Sequence, residues 1–173
     1  MQPSGKIVDG FHFLPPSLAA WIRKTIPDAP FAGPIPWAPL KRPIEQTAFA
    51  LVTSAGIRLR SDAPFDMERE KLEPTWGDRS HRRIPKDPAG RGEIAVDHLH
   101  INPDYILQDI NVMLPIDRMA ELEREGAIGR LAETHYSFYG FQWDSTEFVE
   151  TAIAPMAAQM EREKVEAALL TPA

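Results

Sequence analysis

Ala48-Phe49-Ala50-Leu51-Val52-Thr53-Ser54-Ala55-Gly56 decides the fold. Six residues without a charge end in a Ser-Ala-Gly turn. A strand buried on both faces and entering a tight turn reads this way, because a half-exposed strand would alternate polar and apolar positions. Val165 to Ala173, Val-Glu-Ala-Ala-Leu-Leu-Thr-Pro-Ala, is a second run of the same kind. It follows a helical stretch that begins near Asp144, with Glu147 placed for a capping box. Phe148, Val149, Ala152, Met156 and Met160 share its apolar side, and Pro155 is expected to kink it. Strands alternating with helices imply an α/β sheet with crossover connections.

Working outward, Ile94–Val96 reads as a second short strand, ending at Asp97-His98-Leu99-His100. Ile110–Leu114 reads as a third, weakened by Asn111. Asp117 is placed to cap a helix through Met119, Leu122 and Glu123, which Gly126 stops. Ala127–Leu131 connects to His135-Tyr136-Ser137-Phe138-Tyr139-Gly140, where the aromatic residues, with Phe141, read as core and pocket wall. Residues 66–93 carry dense charge with interspersed Pro and Gly and read as a long loop. Residues 1–45 read as a proline-rich arm. One helix, capped by Ser17, shows Leu18, Trp21, Ile22 and Ile26 on one face and stops at Pro27. Pro30, Pro34, Pro36, Pro39 and Pro43 exclude regular structure beyond it, and Phe31 and Trp37 are expected to pin the arm.

The chain has 173 residues, 43% hydrophobic and 25% charged, as a globular domain of ordinary size requires. A net charge of −6 argues against nucleic acid as a partner. No apolar stretch approaches the ~20 residues of a membrane span, and no signal core follows the N-terminus, so a cytoplasmic location is expected. With no cysteine, these residues hold no disulfide, thiolate metal site or thiol redox centre.

The residues able to do chemistry fall into a few groups. His98 and His100, two apart, would share one face of a strand, and His135 or Asp97 could complete a metal site. Alternatively they bond loop backbone or line a pocket. Arg79, Arg82 and Arg83, with Ser80, could clamp a small carboxylate. The alternative is a solvated, salt-bridged loop. Ser54 and Gly56 could hold an anion on backbone N–H groups, although no GxGxxG or GxxxxGK[ST] pattern points to a nucleotide. Glu73, Asp97 and Asp109 are candidate acids or bases with nothing to single out a pair.

Several of these segments, in order, resemble a known family: Ala50–Ile57; Gly77-Asp78-Arg79-Ser80 with Arg82, Ile84 and Pro85; Asp97–His100; Asp109-Ile110-Asn111; Leu114–Arg118; Glu125–Gly129; and His135–Phe138. Over residues 46–173 the chain resembles the selenoprotein B subunits of the glycine, sarcosine, betaine and D-proline reductases, most closely the D-proline type. The resemblance implies a Rossmann-like, mainly parallel sheet with flanking helices, incomplete at the C-terminus, behind the arm of residues 1–45. It implies reductive C–N cleavage of a small amino acid or amine. The selenocysteine or cysteine that attacks the substrate is expected immediately after Ala173, so this chain alone is expected to be inactive. A thiol-carrying partner subunit or C-terminal half, in a homo- or hetero-oligomer, would complete the site. In that scheme residue type and position, rather than the resemblance itself, nominate Arg79, Arg82 or Arg83 to hold the substrate carboxylate, with Ser54 and Ser80 beside them, and His98, His100 or His135 to donate a proton. Two other readings stand beside it: a metal-dependent hydrolase or lyase using His98, His100 and His135, and a non-catalytic partner subunit of a two-chain enzyme.

Overall fold

The computed structural model describes residues 9–25, 38–73, 75–140 and 142–173. Ile26, Pro27, Pro30, Phe31, Pro34, Pro36, Trp37 and Phe141, named above, lie outside the described residues. Met1–Ala38 and Pro39–Ala173 are separate units. The first holds a 3-10 turn, Gly10–Phe13, capped by Asp9, and helix α1, Pro16–Thr25.

In the second unit, β1 (Ala48–Thr53) is the strand expected from its apolar run, and it is buried almost throughout. Strand β2 (Ile57–Leu59), helix α2 (Met67–Leu72), strand β3 (His81–Pro85), helix α3 (Pro88–Arg91) and strand β4 (Ile94–Val96) follow. Helices α4 (Asp104–Gln108) and α5 (Ile116–Arg124) lead to β5 (Arg130–Leu131) and β6 (Thr134–Phe138). Helix α6 (Thr146–Phe148), a π segment (Val149–Ile153) and α7 (Ala154–Arg162) lead to β7 (Ala167–Thr171).

The main sheet is mixed but mostly parallel. β1 pairs in parallel with β5, β6 and β7, and β3 adds antiparallel to β6. β7 runs beside β1 from Phe49 to Thr53, so β5 and β6 must share the other edge: β5 pairs at Ala48 and Phe49, β6 at Val52 and Thr53. Helices cover both faces. Leu51 and Ile84 pack with Ile116 and Met119 of α5 on one side. Val52 and Tyr136 pack with Phe148, Ala152 and Met156 on the other.

Four expectations need correction. Residues 66–93 are not a loop: α2, β3 and α3 lie there. β3 is an edge strand, and edges tolerate charge because one side meets water. Ile110–Val112 is a 3-10 turn rather than a strand. Asp109 Oδ1 accepts from Asn111 N and Nδ2 at 2.9 and 2.7 Å, and these local bonds bend the backbone out of extended form. Asp117 does not cap α5. The Asn111 side-chain oxygen accepts from Asp117 N at 2.9 Å, while Asp117 Oδ1 pairs with Arg91 at 2.6 Å. Finally, β4 belongs to a separate two-stranded antiparallel sheet with β2, a strand not expected from sequence. Pro155 acts through the π segment: Ala154 N–H donates to Val149 C=O, five residues back, widening the turn just before the proline.

Gly56 links β1 to β2. Its φ is +64°, and a Cβ there would stand 2.0 Å from the Asp97 carbonyl oxygen. Gly56→Ala should therefore cost about 2–3 kcal/mol, read as a lower urea midpoint with an unchanged slope.

Candidate functional site

The carboxyl ends of β1, β6 and β7 converge. Thr53 Oγ1 donates to the Thr171 carbonyl at 2.9 Å, Thr171 Oγ1 donates to the Met113 carbonyl at 2.6 Å, and Ala173 N donates to Ser54 Oγ at 2.8 Å. Ala55 bridges Tyr139, just past β6. In α/β sheets, ligands bind outside the carboxyl ends of the strands, so this edge is where a site belongs.

A polar cluster sits on Tyr139. The His98 ring stacks on the Tyr139 ring at 5.3 Å, and His98 Nδ1 accepts from His100 N at 3.0 Å. The two imidazoles are 6.0 Å apart, edge to face. They follow β4 in a bend, so it is this turn that brings them together and not strand alternation. His100 Nε2 stands 3.4 Å from Glu70 Oε1. Glu70 is buried, and its Oε2 has no hydrogen-bond partner among the described residues; the same holds for the Tyr139 hydroxyl. Burial, then the Glu70 carboxylate, pushes the Tyr139 pKa above its ordinary range. Burial, then the His100 charge, lowers that of His98, with Glu70 opposing. Sequence reasoning missed Glu70, since one buried carboxylate among the charges of α2 carries no distinguishing signal.

His135 lies elsewhere. It is four residues before Tyr139, about 13 Å along an extended strand. It is fully buried, and Nδ1 accepts from Leu51 N at 3.1 Å. The imidazole thus occupies the place of a missing carbonyl where β5 gives way to β6. An accepting Nδ1 puts the ring proton on Nε2, which is buried and has no hydrogen-bond partner among the described residues. No group of three or more His, Cys, Asp or Glu among the described residues is arranged to hold a metal ion. Asp97 is also committed: Oδ2 accepts from Arg58 Nε at 2.7 Å and from Phe65 N at 2.9 Å.

The arginines diverge. Arg82 pairs in register with Ser137 and Arg83 with Tyr136, so the two side chains leave opposite faces of the sheet. Arg82 donates to the carbonyls of Ala63, Pro64 and His81 and to Ser80 Oγ, which uses four of its five N–H groups, and it lies over the Phe65 ring at 4.2 Å. Ser80 in turn donates to Asp78. Arg79 pairs with Glu147 of α6. Arg83 is exposed.

Residues 26–173 match the model of the glycine/sarcosine/betaine reductase selenoprotein B family. The chain belongs to this family. It is also 34% identical over 142 residues to the D-proline reductase subunit gamma of Acetoanaerobium sticklandii, a match covering 82% of this chain and 55% of that subunit. The chain therefore spans about half the length of that curated relative. No solved structure matches. No helix among the described residues is long and apolar enough to cross a membrane.

Burial holds the His135 pKa down to about 4, against 6.5 in a free chain. The folded protein thus binds fewer protons than the unfolded chain between these values. Its stability is full above about pH 6.5 and falls as the pH drops toward 4, by about 3 kcal/mol in all. His135→Leu should flatten this part of a urea-midpoint profile. It should also cost about 1–3 kcal/mol at pH 7, because it leaves the Leu51 N–H bare.

Proposed function

We propose that this protein is the substrate-side scaffold of a thiol- or selenol-dependent reductase that cleaves the C–N bond of a small amino acid or amine. Family membership, in a chain without cysteine, carries the reading. The nucleophile comes from a thiol- or selenol-bearing segment or subunit brought to the carboxyl edge. The edge suits it: Ser54 and Gly140 approach closely there, and the Ala173 backbone is tethered to Ser54. Together with a second thiol, such a group supplies two electrons: the C–N bond breaks, nitrogen leaves with a proton, carbon gains a proton, and the two chalcogens end bonded to each other.

The chain's own residues bind substrate and move protons. His100 is the exposed member of the histidine pair, and it faces Glu70, so it can pass a proton to the departing nitrogen. His98, kept neutral by burial, positions His100 through its backbone N–H. Arg79 can exchange Glu147 for a substrate carboxylate, and Arg83 is open to solvent. Arg82 and Ser80 hold the loop around residues 63–65 and so shape the site indirectly.

The test is an assay with dithiothreitol and glycine, sarcosine, betaine or D-proline, reading reduced product by mass spectrometry. This chain alone should give none; combined with the thiol- or selenol-bearing subunit copurified from its own cells, it should turn over one of the four. His100→Ala should then lower kcat by about 100-fold with KM little changed. Product release by this chain alone without a thiol would overturn the reading.

A further inference from the structure

β7 is bonded along one edge only. Its partner β1 runs beside it in five registered pairs, and among the described residues no strand pairs with its other side. Both of its faces are open as well. Leu169, in register with Leu51 on the α5 side, is 39% exposed; Leu170, in register with Val52 on the α7 side, is 67% exposed. Beside Leu170 runs an apolar groove of about 660 Å³. Ile153, Met156, Ala157 and Met160 form its helical wall, and Ala168 and Leu170 form its floor. An uncovered parallel edge with leucines on both faces is unusual, because parallel sheets are normally buried on each side.

The topology says what would cover it. The chain leaves β6, crosses over β1 on the α7 face, and enters β7 in parallel. Parallel crossovers share one hand. A further unit added outward from β7 therefore places its helix on that same face, over the groove, and its strand along the open edge. The relative's length supplies material for it: the match covers 55% of the A. sticklandii subunit, and the rest of that subunit lies outside it.

We propose that the outer edge of β7 and the adjoining groove dock a partner polypeptide consisting of an amphipathic helix and a parallel strand, homologous to the part of that subunit which this chain does not span. The helix fills the groove with apolar side chains, and the strand pairs with β7 and covers Leu169 and Leu170. This rests on the proposed reductase reading only for the identity of the partner; the docking itself needs no catalysis.

The experiment mixes this chain with the unmatched part of the A. sticklandii subunit, produced as a separate chain with any cysteine or selenocysteine replaced by serine. Amide hydrogen exchange should slow in Ala167–Thr171 and in Ile153–Met160. Leu170→Glu, at an exposed position that leaves the fold intact by circular dichroism, should weaken binding at least tenfold in titration calorimetry. Leu72→Glu, exposed on α2, should leave it unchanged. Joining the same segment to the chain by a flexible linker raises its effective concentration and should give the same protection. Protection elsewhere, insensitivity to Leu170→Glu, or no protection even in the linked form overturns the proposal. So does self-association of this chain alone that already protects β7, since a second copy would then be the occupant. Because redox chemistry is absent throughout, a failure here is distinct from failure of the reductase assay.

Discussion

Ala48–Thr53 must satisfy two edges and two faces at once. Its backbone groups find partners in three parallel strands, and its side chains reach both helical layers. The difficult point is the break between β5 and β6, where the Leu51 N–H would otherwise be buried without a carbonyl. The His135 imidazole fills that gap. A buried donor left bare costs more than an ordinary hydrogen bond returns, which is why a titratable ring at this point is a structural commitment. The register of β6, and so the position of Tyr139 and its histidines, follows from it.

The carboxyl edge inherits its arrangement from this frame. β1, β6 and β7 end together, bound by hydrogen bonds among Thr53, Ser54, Thr171 and Ala173. Near this edge lie the buried Glu70 Oε2 and Tyr139 hydroxyl, without hydrogen-bond partners among the described residues, beside an exposed imidazole. An apolar groove lies there too. The polar cluster and the apolar groove thus lie near the same strand ends, where Ser54 and Gly140 approach each other closely.

How much of this was legible depends on the interaction concerned. β1, β7 and the last helix announce themselves because continuous apolar runs and helical periodicity are local signals. β3 did not, because an edge strand can carry charge, and its composition resembles a loop. The 3-10 turn at Ile110–Val112 was hidden by apolar residues that suggest a strand, whereas the bonds that bend it come from Asp109 and Asn111 side chains. At the site, the spacing of His98 and His100 suggested that they meet, but on a strand face; a bend after β4 is what brings them together. The separation of His135 from them, and of Arg82 from Arg83, was not visible.

The order of residues alone determined the α/β class, the buried central strand and the absence of any thiol among these residues, since these rest on composition and on patterns a few residues long; the family showed only through many such segments in order along the chain. The tertiary structure decided which polar groups act together. Glu70 meets His100 from thirty positions away, and His135 is turned inward to a backbone donor eighty-four positions away. Burial and partner choice arise only when distant segments pack, and no local pattern encodes which of several identical carboxylates or imidazoles will lose its water.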